Sequence, residues 1–199
     1  ASRLIVHEKV LHAFTAKLVA ATQALKVGHA LEDGTQIGPV VSESQLTSNL
    51  RYIETGRAEG AELLCGGMRL DRATDGYFMA PAIFANTRND MAINREEMFG
   101  PITCIQTAGS YAEALALAND TPFGLTAGIM TRSLARANHF RANAKAGCVM
   151  INLPTAGTDY HVPFGGRGAS SHGPREQGRY AAEFYTTVKT AYTAVGVPE

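Results

Sequence analysis

The chain has 199 residues, 45% of them hydrophobic, and its 18 Lys and Arg residues balance its 18 Asp and Glu residues. This length suffices for one full-sized domain that buries its own core. Nucleic acids and anionic membrane surfaces usually select a basic excess, so neither is expected as a partner, and no apolar run is long enough to span a bilayer.

The first half of the chain alternates short strands with amphipathic helices. A β-branched strand at Arg3–His7 leads into a helix at about residues 8–26, and a polar, turn-rich loop follows. Ser42, with Gln45 three residues later, forms a capping box for a second helix, and a strand at about 61–65 comes next. The predicted core face of the first helix consists of Val10, Phe14, Leu18, Ala21 and Leu25.

The second half continues the alternation and predicts a parallel sheet. Near-continuous apolar strands at 102–107, 124–131 and 147–152 are separated by helical segments. This pattern is typical of an α/β fold in which helices cover both faces of a mostly parallel sheet. The segment Phe184–Tyr192 alternates in polarity, which predicts a terminal strand with no neighbour in sequence to pair with.

The cysteines and histidines indicate a reducing environment and no metal site. Cys65, Cys104 and Cys148 lie far apart, without a CxxC spacing, and each is in an apolar, strand-like stretch. An odd and sparse cysteine count is typical of proteins without structural disulfides. We therefore expect a cytoplasmic protein whose cysteines pack in the core. The six histidines show no ligand spacing among themselves or with the cysteines, so no metal is expected.

A short acidic motif, REEMFGP at residues 95–101, directly precedes the strand that begins at Ile102. Adjacent acids at the start of a strand are ordinarily solvated surface. A carboxylate held beside an aromatic ring and a tight turn also suits the binding of two neighbouring sugar hydroxyls. The motif by itself leaves both interpretations open.

Five segments in this order resemble the C-terminal part of the aldehyde dehydrogenase superfamily. They are EEMFGP, ANDTPFGLTAGIMT, AGCVMIN, VPFGG and REQGRYAAEFYTTVKT, and the stretches SRLIVHEKVLHAFTAKLVAATQALKVG and TQIGPVVSESQL fit the same family. Any one segment is a weak signal, whereas five in register over nearly the whole chain are specific. The resemblance implies an α/β catalytic-domain fold with a C-terminal oligomerisation strand, and an NAD- or NADP-dependent oxidation of an aldehyde.

The resemblance also assigns the acidic motif to the cofactor. In that family the second acid of the motif hydrogen-bonds the ribose beside the nicotinamide, and the aromatic two residues later packs against that ribose and the nicotinamide. Carried over, these residues are Glu97 and Phe99, and Glu96 is left with a structural role. NAD and NADP both remain open, because the family's contacts to the adenosine 2′ position belong to a domain without a counterpart in this chain.

The same resemblance implies that the catalytic groups lie upstream of this chain. In the family the nucleophilic cysteine comes a few residues before the Ser-Arg pair that is matched here by Ser2 and Arg3. The general-base glutamate and the oxyanion-hole asparagine lie further upstream. We therefore expect a catalytic-domain remainder at 1–182, an oligomerisation segment at 183–199, no catalytic residue in this chain, and no activity of the chain alone.

The loop after residue 151 corresponds to a wall of the family's substrate funnel. Its small and hydroxyl-bearing side chains suit a short, polar aldehyde better than a fatty or aromatic one. This loop and the C-terminal segment are most similar to the α-ketoglutarate semialdehyde (2,5-dioxopentanoate) dehydrogenases within the family. A plain glycine-rich connection is the alternative interpretation. The residues of this wall are Asn152, Leu153, Pro154, Thr155, Ala156 and Gly157.

Two hypotheses of function follow from these features. In the first, the chain is part of an aldehyde dehydrogenase that oxidises a short carboxylated semialdehyde and forms a homo-oligomer through its terminal strand. In the second, it is a non-catalytic module that uses its ribose-binding surface or terminal strand for binding or assembly. The sequence encoded directly before Ala1 discriminates between them, because a nucleophile segment there would mark an enzyme.

Overall fold

The computed structural model describes residues 1–196. Its larger sheet is organised around β4 (Ile102–Ala108), which pairs in parallel with β1 (Arg3–His7) on one side and with β3 (Ala82–Ala85) on the other. The fourth strand, β2 (Glu62–Cys65), is antiparallel to β3, so the strand order is β1-β4-β3-β2. Central strand β4 is buried along most of its length, which requires cover on both faces.

The helices of this half of the chain are α1 (Glu8–Gln23), α2 (Glu43–Ala58), α3 (Ala92–Arg95) and α4 (Tyr111–Asn119). Successive strand residues point to opposite faces of a sheet. Ile83 and Ile105 pack with side chains of α1, whereas the adjacent strand residues Phe84 and Cys104 pack with side chains of α2. The sheet is therefore held between α1 on one face and α2 on the other, as the sequence predicted.

Helix α1 differs from its prediction in length and in its packed face. It ends at Gln23, short of the predicted end near residue 26. Leu18 of the predicted core face packs against the sheet together with Leu11, seven residues earlier, whereas Val10 and Phe14 of that face are exposed. Leu18 fits both the predicted apolar stripe and one that includes Leu11, and the contacts with the sheet select the stripe with Leu11.

The second half of the chain is built on a two-stranded parallel sheet. β5 (Thr126–Ile129) pairs with β6 (Cys148–Ile151), and α5 (Leu134–Asn143) connects them in a βαβ arrangement. The backbone approaches closely just before β6, where a Cβ atom on Gly147 would overlap the carbonyl oxygen of Gly165. Only glycine fits at that position, which explains the glycine between α5 and β6.

The terminal strand predicted at Phe184–Tyr192 does not form within the described residues. Phe184 and Tyr185 instead end α6 (Ala181–Tyr185), and residues 186–196 have no regular secondary structure. A strand needs a neighbour to satisfy its backbone donors and acceptors, and no strand of the described part of the chain pairs with this segment. Its apolar side chains are left in solvent, with Val188 98% exposed.

Residue contacts divide the chain into two compact units, one covering Ala1–Thr121 and a second that begins at Pro122. The boundary expected between residues 182 and 183 stays a prediction. Three of the four pairings between strands of residues 1–196 are parallel, so the α/β fold with a mostly parallel sheet is confirmed. None of the helices within residues 1–196 combines the length and apolar character that crossing a membrane requires.

Candidate functional site

The acidic motif lies between the end of α3 and the start of β4, where three consecutive charged residues have different surroundings. Arg95 donates from Nη1 to Asp120 Oδ1 at 3.1 Å, and this bond lowers the pKa of the exposed Asp120 carboxyl. Glu96 accepts at Oε2 from the hydroxyl of Tyr52 at 2.8 Å, and the same bond raises the pKa of Tyr52. Both residues thus tie the motif to neighbouring elements.

Glu97 is exposed, and its carboxylate has no hydrogen-bond partner among the described residues. Phe99, two residues on, has a ring that is 72% exposed. Its φ of 50° lies in the left-handed region, which disfavours a residue with a Cβ by roughly 1–2 kcal/mol. A strained backbone that holds an apolar ring in solvent, two residues after a free carboxylate, is uncommon unless the two side chains are presented to a ligand.

The residues on either side of Phe99 are held by α2. Met98 is 4% exposed and packs in the same core cluster as Leu46 of that helix. Gln45 Nε2 donates to the Met98 carbonyl oxygen at 3.1 Å. On the other side of Phe99, the Cα of Gly100 lies so close to Asn49 that an added Cβ would overlap the Asn49 side chain.

Sequence reasoning did not identify Gln45 and Asn49 as parts of this site. The backbone N–H of Gln45 does donate to Ser42 Oγ at 3.2 Å, as a capping box requires. The Gln45 side chain, however, reaches Met98 and Asn49 instead of returning to the Ser42 backbone. The available signal was Asn49 itself, because a polar residue on the otherwise apolar face of a buried helix needs a partner.

The predicted substrate wall begins at the end of β6. Asn152, which has φ 55°, accepts at Oδ1 from the backbone N–H of Thr131 and donates from Nδ2 to the Thr131 carbonyl oxygen. Thr155 is half-buried, with its methyl group beside Gly128. The side chains of Leu153, Pro154 and Ala156 are exposed, as is Gly157. The amide of Asn152 therefore holds the loop in place, and the small residues after it form the open surface.

The three cysteines are free thiols with structural surroundings. Burial raises the pKa of the Cys104 thiol to about 12, and burial also raises the pKa of Cys65. Because the thiolate is the nucleophilic form of cysteine, neither residue is suited to attack a carbonyl at neutral pH. Cys148 is half-buried in β6, with its sulfur 3.9 Å from the Gly165 carbonyl oxygen. Within residues 1–196, no three His, Cys, Asp or Glu side chains form a group that could hold a metal ion.

Curated relatives match nearly the whole chain. It is 41% identical over 193 residues to the alpha-ketoglutaric semialdehyde dehydrogenase of Bacillus subtilis, covering 96% of this chain and 40% of that protein. It is equally 41% identical over 197 residues to a betaine aldehyde dehydrogenase of Brucella anthropi, covering 98% of this chain and 40% of that protein. The chain thus spans less than half the length of these relatives.

The fold matches solved structures of the same kind. The crystal structure of a betaine aldehyde dehydrogenase from Staphylococcus aureus in complex with NAD+ superposes with a TM-score of 0.88 at 30% identity, over 92% of this chain and 37% of that chain. The family model described as "Aldehyde dehydrogenase family" matches residues 1–191. The chain belongs to the aldehyde dehydrogenase family.

Proposed function

We propose that this chain supplies the nicotinamide-side ribose contact of an NAD(P)+-dependent aldehyde dehydrogenase through Glu97 and Phe99. The observation that carries the proposal is the exposed, unpaired Glu97 carboxylate two residues before Phe99, whose ring is held exposed in a left-handed backbone conformation. The NAD+ complex of the Staphylococcus aureus neighbour supports this choice of cofactor. When bound, NAD(P)+ supplies the hydride acceptor for aldehyde oxidation.

The two side chains fit such a ligand chemically. A carboxylate accepts hydrogen bonds from two neighbouring hydroxyls at once, and such charge-assisted bonds are among the stronger ones in proteins. The Phe99 ring offers a flat apolar face on which a sugar or an aromatic ring can rest. The residues of this chain thus bind and orient the ribose. The test is dinucleotide binding to the protein translated from the full reading frame, which we expect Glu97→Gln to weaken more than Glu96→Gln.

We infer that the substrate is a short aldehyde that carries a carboxylate. The small, uncharged wall formed by residues 153–157 and the similarity to the Bacillus subtilis semialdehyde dehydrogenase support this class. Betaine aldehyde, which carries a cation instead, is the second candidate, because the Brucella anthropi relative has the same identity to this chain. The test is to measure kcat/KM for α-ketoglutarate semialdehyde, betaine aldehyde, benzaldehyde and decanal. The higher value of the first two identifies the substrate class, and a highest value for benzaldehyde or decanal would exclude both candidates.

The chain alone is expected to be inactive. Aldehyde oxidation in this family needs a thiolate, an oxyanion donor and a general base, and the raised pKa values of Cys65 and Cys104 make these thiols poor substitutes. The purified chain, mixed with aldehyde and NAD+ or NADP+, should therefore form no NADH or NADPH. Formation of either, with or without prior thiol alkylation, would contradict this part of the proposal.

We further propose that the protein forms a homo-oligomer and lies in the cytoplasm. The exposed apolar side chains of residues 186–196 support a homo-oligomer formed through this segment, and three free thiols support a cytoplasmic location. The competing function, a non-catalytic binding or assembly module, predicts a protein that binds dinucleotide or assembles without oxidising any aldehyde. A nucleophile segment encoded directly before Ala1 would exclude that alternative.

A further inference from the structure

Helix α2 contacts the acidic motif at three successive positions along one face of the helix. Tyr52 binds Glu96 at 2.8 Å, and Gln45 binds the carbonyl of Met98 at 3.1 Å. Asn49, between them on the same face, lies directly against Gly100. The residues before and after Phe99 are thus both fixed to one rigid element, and Glu97 and Phe99 lie between the fixed points with exposed side chains.

Gln45 and Asn49 also bind each other, and this bond orients both side chains. Gln45 Nε2 donates to Asn49 Oδ1 at 2.9 Å while it donates to Met98. Asn49 is fully buried, and its Nδ2 has no hydrogen-bond partner among the described residues. A buried amide group left half-satisfied is unfavourable. An apolar residue would pack at this place without that penalty, so the amide points to a positioning task.

We propose that Gln45 and Asn49 are positioning residues that fix Phe99 in its left-handed conformation and so pre-order Glu97 and Phe99 for the nicotinamide ribose. The inference rests on the proposed cofactor role of these two residues. Burial of Met98 fixes the chain before Phe99 but leaves the following peptide free to rotate. Contact with Asn49 after Phe99 removes that freedom, and Gln45 holds the Met98 carbonyl in the matching orientation. A pre-ordered loop binds its ligand without the entropy loss of ordering it.

Backbone dynamics of the 199-residue chain test the positioning directly, without cofactor. Asn49→Ala removes the side chain that lies against Gly100 together with the acceptor for Gln45, and Gln45→Met removes both donated bonds at a half-buried position. Thr47→Ala, at an exposed position of the same helix, is the matched control. From ¹⁵N relaxation we expect the order parameters of Phe99 and Gly100 to fall from about 0.85 to below about 0.6 in the first two variants. They should not change in Thr47→Ala.

Dinucleotide binding by the protein translated from the full reading frame tests the consequence. We expect Gln45→Met and Asn49→Ala to raise the KM for NAD(P)+ by about tenfold while the KM for aldehyde stays within twofold. Unchanged order parameters at Phe99 and Gly100 in both variants would overturn the positioning role. The positioning role would also be overturned if the order parameters fall in both variants but their KM for NAD(P)+ stays constant, while Glu97→Gln raises that KM. An unchanged KM in Glu97→Gln itself would instead overturn the proposed function of the loop.

Discussion

Asn152 binds the backbone of Thr131 at two points: its Oδ1 accepts from the Thr131 N–H at 2.8 Å, and its Nδ2 donates to the Thr131 carbonyl oxygen at 2.9 Å. The backbone N–H of Asn152 also donates to the Ile129 carbonyl oxygen at 2.9 Å. Asn152 therefore continues the pairing of β5 with β6 past the end of the sheet through its side chain. The predicted substrate wall starts from this fixed point.

Replacing Asn152 by alanine should lower the free energy of unfolding by about 1–2 kcal/mol. The variant loses two hydrogen bonds, each of which stabilises the fold by about 1 kcal/mol or less, because solvent reaches the Asn152 side chain. Alanine also disfavours the left-handed φ of 55°. Urea unfolding of the variant measures the change. Leu153→Ala, at an exposed neighbour, should shift stability by less than about 0.5 kcal/mol. Equal midpoints for the two variants would show that the Asn152 contacts add nothing.

Replacing Glu97 by glutamine in the protein translated from the full reading frame should impair catalysis while the fold remains intact. Loss of a charge-assisted hydrogen bond corresponds to about 1.5–3 kcal/mol, or roughly 10- to 150-fold in kcat/KM. A poorly oriented ribose should slow the step that breaks the aldehyde C–H bond, so a deuterated aldehyde should show a larger isotope effect than in the parent protein. Glu96→Gln, the same chemical change one residue earlier, should leave the isotope effect as it is. A parent-like rate and isotope effect in Glu97→Gln would rule out the ribose contact.

The buried thiol of Cys104 should make the stability of the chain fall at alkaline pH. Burial raises its folded-state pKa to about 12 from an ordinary value near 9, so the unfolded chain binds fewer protons than the folded chain between these values. The stabilising contribution is therefore complete below about pH 9 and is lost as pH rises toward 12, by up to about 1.4 kcal/mol per pH unit. The comparison is with Cys104→Ala, which lacks this thiol and keeps every other titratable side chain. The difference in unfolding free energy between parent and variant should narrow from pH 8 to pH 10.5, and a constant difference would contradict the buried, neutral thiol.

Local signals in the sequence predicted the fold well, whereas long-range contacts set the features that it missed. The serine of the second helix predicted its N-terminus, and Ser42 Oγ accepts from Gln45 at 3.2 Å as expected. Periodicity alone could not choose the packed face of α1, because Leu18 fits a stripe with Val10 as well as one with Leu11. Contact with the sheet decides between them. Asn49 on an apolar helix face indicated a need for polar contacts, but its contact with the acidic motif could not be predicted, because the two lie far apart in the chain. Alternation in the C-terminal segment predicted a strand, but a strand requires a neighbour that local sequence does not supply.

Removing residues 186–199 should lower the mass of the chain in solution without unfolding it. Tyr192 is 97% exposed and Val188 98% exposed, and the segment that carries them has no pairing with any described strand. Its free backbone groups and β-branched side chains favour pairing with another copy of the chain. Sedimentation equilibrium should therefore find the full chain as a dimer or larger, and the chain ending at Tyr185 near the monomer mass. Val188→Lys should weaken the association partially, because a charge disfavours edge pairing, and the circular dichroism of the α/β core should persist in both variants. If full-length and shortened chains sediment as identical monomers, the segment does not mediate assembly of this chain.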